Sequence, residues 1–191
     1  MMDPEEDWRR GIEEAGRLAG WAGANLGQLE QVAVLLLATL REGRSLLACG
    51  NGGSALQAQH LVAELVGRFR RERRPLPALA LSTDAGVVTG IGNDYGYDQV
   101  FARQVRALGR PGDLLLALST SGNSANVLMA CETAREVGIR TVGFCGGGGR
   151  LPGCVDAALS VPSHDTARIQ ECHLLLIHLL CERVDAELGS D

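Results

Sequence analysis

Short apolar runs and longer helical segments alternate along the chain from residue 45 onward. Each apolar run has four or five residues, is rich in Leu, Val and Ala, and is bounded by Gly, Pro or Asp. Continuous runs of this length are typical of strands that are buried on both faces of a sheet. The predicted strands are Ser45–Cys49, Ala78–Leu81, Leu114–Leu118, Thr141–Phe144 and Ala157–Val161.

The segments between these runs have the length and the apolar spacing of helices. They cover residues 54–70, 98–108, 124–137 and 166–188. This alternation predicts an α/β fold with an open, doubly wound parallel sheet flanked by helices and connected by right-handed crossovers. In such sheets ligands bind beyond the carboxyl ends of the strands, so we expect function in the loops after the first four strands.

The first 43 residues have a different pattern. Apolar side chains recur at three- and four-residue spacings, and Asn25 and Gly27 interrupt them, which predicts two helices. This segment has no glycine-rich loop and no cluster of titratable groups on one face. We therefore interpret residues 1–43 as a helical extension for packing and assembly, and residues 44–191 as the α/β domain.

The composition and charge of the chain limit the classes of function that it can have. The formal net charge of −5 gives no indication of nucleic-acid binding. The arginine cluster at residues 68–74 is interpreted as a solvated helix end, with Arg68, the member nearest to the motifs below, as the exception. Six cysteines without a C-x-x-C pair indicate small buried hydrophobes in a reducing compartment. Because neither an apolar leader nor an 18-residue apolar run is present, we expect a cytoplasmic protein without membrane contact.

The first glycine-rich loop reads GNGGS over residues 50–54, between a strand and a helix. Glycines let the backbone approach a ligand closely, and a helix N-terminus offers free N–H groups and a positive potential to an anion. Ser54 can cap this helix. The loop matches neither G-x-G-x-x-G nor a Walker motif, so a tight structural turn remains the alternative.

The second loop reads STSGNS over residues 119–124 and also joins a strand to a helix. Hydroxyl groups and backbone N–H groups at a helix start form a neutral cradle for a phosphate dianion. A structural N-cap needs one hydroxyl, whereas this loop carries four. We therefore predict phosphate binding here.

Two helices carry candidate acid–base groups. His60 and Glu64 are four residues apart, which places them on one face of the helix after the first loop. The alternative is an ordinary surface pair, but the apolar surroundings AQHLVAELVGRF favour a general base at Glu64. His178 lies in the apolar run LLLIHLLC of the last helix, where a satisfied core histidine is the alternative.

Gln170 and His178 are eight residues apart in that last helix, about 12 Å along its axis. That distance is close to the greatest at which two long side chains can both bind one small ion. Either they reach toward each other over two turns, or they serve sites that are completed by different chains.

Five motifs occur in a fixed order: ACGNGGS, H-x-x-x-E, GND at residues 92–94, STSGNSANV and RIQE-x-H-x-x-x-x-H. Together they resemble the SIS (sugar isomerase) domain and, more closely, the phosphoheptose isomerase family. The resemblance runs from about residue 46 to residue 187. It implies a flavodoxin-like, five-stranded parallel sheet and a homotetramer. It also implies the conversion of sedoheptulose 7-phosphate to D-glycero-D-manno-heptose 7-phosphate through a cis-enediol, which begins ADP-heptose synthesis for the lipopolysaccharide core.

The resemblance also assigns roles to residues. The implied acid–base pair is Glu64 and His178. The implied ligands of one zinc ion per subunit are His60, Glu64, Gln170 and His178. The implied phosphate and sugar contacts are Asn51, Gly52, Gly53, Ser54, Glu64, Asn93, Asp94, Ser119, Thr120, Ser121, Ser124 and Gln170. Ala167 stands where the family often has an Asp.

Non-enzymatic regulators that bind the replication initiator share this fold and the segment around RIQE. They tend to lose the glutamate of H-x-x-x-E and the terminal histidine, whereas this chain keeps Glu64 and His178. Those two residues favour the isomerase over the regulator and over another SIS sugar-phosphate-binding protein.

Overall fold

A computed structural model describes residues 4–189 of the chain. Within that range the chain forms seven α-helices and five strands, with 3₁₀ turns at Tyr97–Gln99 and Leu151–Cys154. The elements in order are α1 (Pro4–Ala24), α2 (Leu26–Arg41), β1 (Leu46–Gly50), α3 (Gly53–Val66), β2 (Ala78–Ala80), α4 (Ala85–Tyr95), α5 (Ala102–Leu108), β3 (Leu114–Ser119), α6 (Ala125–Glu136), β4 (Arg140–Cys145), β5 (Ala157–Ser160) and α7 (Thr166–Leu188).

The five strands form one parallel sheet in the order β2-β1-β3-β4-β5. Side chains alternate between its two faces, because successive residues of a strand point in opposite directions. Leu46 and Ala48 enter a core formed with α1, α2, α3 and α7. Leu47 and Cys49 enter a second core formed with α5 and α6. The predicted doubly wound parallel sheet is therefore confirmed.

The strand order decides where the two predicted loops meet. β1 and β3 are neighbours, and Gly50 at the end of β1 pairs with Leu118 near the end of β3. The GNGGS and STSGNS loops therefore emerge side by side at the same edge of the sheet. This is the edge at which open parallel sheets bind ligands.

The helix boundaries differ from the prediction in three places. Helix α4 was not predicted, because Gly86, Gly90 and Gly92 interrupt its pattern; the Asp84 side chain nevertheless caps it by accepting from the Val87 N–H. The helix expected over 54–70 ends at Val66, and a loop over residues 67–77 follows. The helix expected over 98–108 begins as the 3₁₀ turn and becomes α-helical at Ala102.

The two N-terminal helices pack on the same face of the sheet as α7. Leu18 of α1 and Leu36 of α2 share the first core with Leu176 of α7. The proposed boundary between residues 43 and 44 falls in the connection from α2 to β1, and the division into two units stays a prediction. Its outer ends, residues 1–3 and 190–191, lie outside the described residues. Across residues 4–189, each helix is too short or too polar to span a lipid bilayer.

Candidate active site

The first loop is a tight turn that brings backbone to the start of α3. Gly52 has a φ of +54° and is the N-cap of the helix, which begins at Gly53. A side chain at Gly50 would approach atoms of Ser54 to 2.9 Å, so the close return of the chain requires a glycine there. The expectation that Ser54 caps α3 is wrong, since it lies inside the helix and is buried.

The second loop gathers hydroxyl groups. The Ser119 and Ser124 Oγ atoms are 3.0 Å apart, and Ser121 Oγ lies 3.5 Å from Ser119 Oγ. Ser124 is the N-cap of α6, yet its hydroxyl does not cap the helix. Gly122 takes a φ of +65° and closes the turn through a bond from its N–H to the Ser119 carbonyl. The loop therefore directs several hydroxyls to one place, as a phosphate cradle requires.

A pair of amides joins the first loop to α6, the helix that follows the second loop. Asn51 Nδ2 donates to Asn126 Oδ1 and Asn126 Nδ2 donates to Asn51 Oδ1, each at 2.9 Å. The Tyr97 hydroxyl also donates to Asn51 Oδ1, at 3.2 Å. Asn126 is buried in α6. The amide of Asn51 is thus held in one orientation by residues that sequence reasoning did not single out.

The loops and α7 enclose a cleft of about 300 Å³. The Gln170 side chain lies against Gly53 in this cleft, since a methyl group added at Gly53 would lie 2.6 Å from both the oxygen and the nitrogen of the Gln170 amide. The Gln57 amide also donates to the Gln170 main-chain carbonyl at 2.5 Å. The residues that line the cleft are Asn51, Gly52, Gly53, Ser54, Leu118, Ser119, Thr120, Ser124, Thr166 and Gln170.

The candidate acid–base groups meet farther along α3. His60 Nε2 and His178 Nε2 are 2.9 Å apart, and His60 Nε2 lies 3.6 Å from Glu64 Oε1. The Phe69 ring stacks on the His178 imidazole, with 5.6 Å between centroids. His60 and Glu64 keep 39% and 21% of their side-chain surface exposed. The alternative of a satisfied core histidine at His178 does not hold, because this residue is only partly buried and faces other titratable groups.

The four implied zinc ligands do not converge within one chain. His60, Glu64 and His178 carry the types of donor that zinc takes, two imidazoles and a carboxylate. Gln170, however, contacts Gly53, which precedes His60 by seven residues, about 10 Å along the helix axis. Among residues 4–189, no three His, Cys, Asp or Glu side chains are arranged to hold an ion. The zinc ion stays a prediction.

Several other features of the sequence do not line this cleft. Asn93 and Asp94 are exposed on α4, where the Asn93 amide donates to Asp94 at 2.8 Å. The glycine run 146–149 is held at one end by bonds from the Gly146 N–H to the Thr120 carbonyl and from the Gly147 N–H to the Ser163 carbonyl. Asp165, two residues before Ala167, caps α7 by accepting from the Ala167 and Arg168 N–H groups.

The arginine cluster is not a uniformly solvated helix end. Arg73 is buried and pairs with Asp185, whereas Arg68, the expected exception, is exposed and pairs with Glu72. The prediction that the cysteines are buried is confirmed for five of the six thiols, and Cys154 is partly buried. Burial raises the pKa of Cys131 and of Cys181 to about 12, which leaves both as neutral thiols.

Asn126, Tyr97 and Thr166 are the site residues that sequence reasoning missed. Asn126 had a signal, because it is a second asparagine that directly extends the STSGNS motif into a helix. Such a polar residue at a buried helix position needs a partner. Tyr97 and Thr166 had none, since the turn and the helix start that carry them become part of the site only through the tertiary fold.

Comparison with known proteins shows to which family the chain belongs. The model of the SIS domain family matches residues 16–146. The chain is 57% identical over 161 residues to a phosphoheptose isomerase from Roseiflexus sp. (strain RS-1), covering 84% of this chain and 82% of the relative. It is 53% identical over 162 residues to the phosphoheptose isomerase of Aliarcobacter butzleri, covering 84% and 86%. The chain belongs to the phosphoheptose isomerase family.

Solved structures agree in fold. A phosphoheptose isomerase from Neisseria gonorrhoeae superimposes with a TM-score of 0.90 at 44% identity, over 96% of this chain and all of the other. A phosphoheptose isomerase from Francisella tularensis gives 0.92 at 38% identity, over 97% and 100%. The resemblance and the isomerase class expected from the motifs are confirmed. The phosphoheptose isomerase names agree with the enzymatic prediction and not with the initiator-binding alternative.

Proposed function

We propose that the protein is an aldose–ketose isomerase that converts sedoheptulose 7-phosphate to D-glycero-D-manno-heptose 7-phosphate, the first step of ADP-heptose synthesis. The observation that carries this proposal is the pairing of a hydroxyl-lined cleft with the acid–base groups Glu64 and His178. A phosphate cradle suits many sugar phosphates, but an isomerase additionally needs a base and a proton shuttle. This chain carries both on helices that contact the cleft.

The chemistry requires only proton movement. Glu64 as a carboxylate removes a proton from C1 of the open-chain ketose and returns it to C2, through a cis-enediol. The hydroxyl at C1 loses a proton and the oxygen at C2 gains one, and His178 can accept and donate that proton. The hydroxyls of the second loop and the backbone of the first hold the phosphate at C7. This anchoring positions C1 at the base.

The donors of the proposed zinc ion are His60, Glu64, Gln170 and His178, one ion per subunit. A bound zinc ion would supply a Lewis acid for a developing enediolate oxygen. Because Gln170 and His178 face different ends of α3, we propose that the fourth donor comes from a rearranged Gln170 or from another subunit. Metal analysis of the purified protein should find about one zinc per chain. Full activity in a sample verified as free of metal would show that the ion is dispensable.

We further propose a cytoplasmic homotetramer with active sites at subunit contacts. Trp8 and Ile12 of α1 keep about 70% of their surface exposed, and α4, which carries Asn93 and Asp94, buries none of its residues. Apolar surface of this kind is expected to be covered by another subunit. Light scattering at micromolar concentration should give four chain masses, and a monomer mass would contradict the assembly.

The activity is tested with sedoheptulose 7-phosphate and proton NMR. The C2 proton of the aldose product should appear in water, and deuterium should replace it when the reaction runs in heavy water. Deuterium incorporation indicates an enediol route through a solvent-exchanging base. No product, together with tight binding to a replication initiator, would exclude the isomerase and favour the regulator.

A further inference from the structure

Arg73 lies in the loop over residues 67–77, next to the C-terminal end of α3. Its side chain is 1% exposed, although the neighbouring arginines 68, 70 and 71 are far more accessible. One terminal nitrogen donates to the carbonyl of Glu64 at 2.6 Å. The other donates to the carbonyl of Leu65 at 2.9 Å and lies 3.4 Å from that of Gly67. The last carbonyls of a helix lack partners within the helix. Here a single guanidinium binds two of them, those of Glu64 and Leu65, and also the carbonyl of Gly67 just after the helix.

Asp185 of α7 holds the other side of Arg73. Its Oδ1 accepts from Arg73 Nε at 3.2 Å, and its side chain is 4% exposed. Its Oδ2 accepts from the backbone N–H groups of Arg70 and Arg71, at 2.8 and 2.9 Å. Burial alone would raise the pKa of Asp185, but these two amides and the guanidinium hold that pKa below its ordinary value. Asp185 is therefore an ionised partner that binds the loop as well as Arg73.

The pair joins the two helices that carry the acid–base groups. Glu64, whose own carbonyl binds Arg73, is in the last turn of α3, and His178 is two turns before Asp185 in α7. Elsewhere along these helices, Gln57 donates to the Gln170 carbonyl and His60 contacts His178. At the Glu64 end, Arg73 and Asp185 form a buried charged link between α3 and α7.

We propose that Arg73 is a positioning residue for the isomerisation: by holding the last turn of α3 against Asp185 of α7, it fixes Glu64 relative to His178. This inference rests on the proposed function, in which those two residues move the protons. A buried ion pair adds little net stability compared with well-packed apolar side chains. Geometry is what this pair supplies, because the carbonyls of Glu64 and Leu65 in α3 and that of Gly67 just after it converge on one planar, rigid donor.

The proposal predicts a split between kcat and KM. The phosphate binds at the N-terminal end of α3, eleven residues before Glu64, so substrate affinity does not depend on Arg73. Arg73→Lys keeps the charge but cannot bind all of these carbonyls, so kcat should fall about 10-fold or more, while KM stays near the wild-type value. The control is Arg183→Met, which removes an exposed arginine that ties α7 to Glu30 of α2. It should lower stability without lowering kcat.

Two further measurements keep the test decisive. If Arg73→Lys does not fold, the double variant Arg73→Met/Asp185→Leu removes both buried charges. If the double variant folds and its kcat is still below that of the wild type, the result supports positioning. If the double variant matches the wild type in both stability and kcat, the result overturns it. Native-state hydrogen exchange should show faster exchange of amides 63–67 in Arg73→Lys but not in Arg183→Met.

The outcomes separate the two proposals. A wild-type protein that does not turn over sedoheptulose 7-phosphate removes the proposed function and the catalytic role of Arg73 with it, and faster exchange in the variant would then show only a structural link. Wild-type turnover together with an unchanged kcat in Arg73→Lys overturns the positioning role alone. The same holds if kcat and KM change together, as they would after a general loosening of the fold.

Discussion

The two ends of α3 are built in different ways. At its N-terminal end, two loops and Gln170 enclose a cleft whose polar groups already contact one another within a single chain. At its C-terminal end, His60 and Glu64 are partly exposed, and within residues 4–189 no three His, Cys, Asp or Glu side chains are arranged to hold a metal ion. The first end depends on strand order and short loops. The second depends on how two helices and a loop pack.

This difference separates binding from chemistry. Phosphate recognition needs N–H groups and hydroxyls fixed by the backbone, and adjacent parallel strands supply them at the edge of the sheet. Proton transfer needs two side chains from distant segments at one carbon, so it is sensitive to small shifts between helices. Changes at the C-terminal end of α3 should therefore affect kcat, and changes at the N-terminal end should affect substrate affinity.

The largest expected effect is that of Glu64→Gln. The amide has the shape of the carboxylate but cannot accept the proton from C1, so kcat should fall by about 10²- to 10⁴-fold. KM should change little, because the cleft lies at the other end of the helix. Steady-state kinetics measures both values, with Glu136→Gln, a change in an exposed ion pair with Arg106, as the control. A near wild-type rate would remove Glu64 from the role of base.

Gly53→Ala tests whether Gln170 belongs to the cleft. The added methyl group would lie 2.6 Å from the Gln170 amide, which must move because it is the flexible partner. We expect kcat/KM to fall by about 10- to 100-fold as that amide leaves the substrate. Gly153→Ala is the control, since nothing lies within 4 Å of its added methyl. Equal kinetics in the two variants would exclude Gln170 from substrate contact.

Asn126→Ala should weaken substrate binding through Asn51. Loss of the reciprocal amide pair frees the Asn51 side chain, so KM should rise about 10-fold, equivalent to about 1.4 kcal/mol, with little change in kcat. Isothermal titration and kinetics of Asn51→Ala, Asn126→Ala and the double variant measure the coupling. Because the two amides bind each other, the effects should not add. Additive effects would show that Asn126 acts independently of Asn51.

The smallest effect concerns pH and the anchoring of α7 behind the cleft. His173 is buried and donates from Nε2 to the Cys145 carbonyl at 3.2 Å, while its Nδ1 has no hydrogen-bond partner among residues 4–189. Burial lowers its pKa to about 4, against an ordinary value of 6.5, although the hydrogen bond to Cys145 opposes this shift. Between those values the unfolded chain binds the proton and the folded chain does not. The free energy of unfolding should therefore fall by up to about 1.4 kcal/mol per pH unit on acidification.

Urea unfolding at several pH values between 7 and 4 measures that slope. His173→Gln keeps a donor for Cys145 but cannot titrate in this range, so it should lose part of the slope. An unchanged slope in the variant would mean that other groups cause the acid sensitivity.

The sheet could be predicted because its signals are local. Each strand is a continuous apolar run between Gly, Pro or Asp residues, and all five observed strands lie within two residues of the predicted bounds. Helix α4 was missed because its apolar positions are interrupted by glycines and it buries no residue. Only partly buried residues of α4, Val88 and Ile91, pack against the second core, so its apolar stripe in the sequence is short.

The sequence by itself determined the chemistry that is available: two phosphate-type loops, a His60–Glu64 pair on one helix face, and Gln170 and His178 eight residues apart. These are properties of residue type and spacing within single elements. Only the tertiary structure decided that Asn126 and Tyr97 bind Asn51. It also placed the Gln170 side chain against Gly53. Finally, it buried Arg73 against Asp185. Each of these contacts joins segments far apart in the chain, and their partners are selected by packing and by the need to satisfy buried polar groups, which no local pattern records.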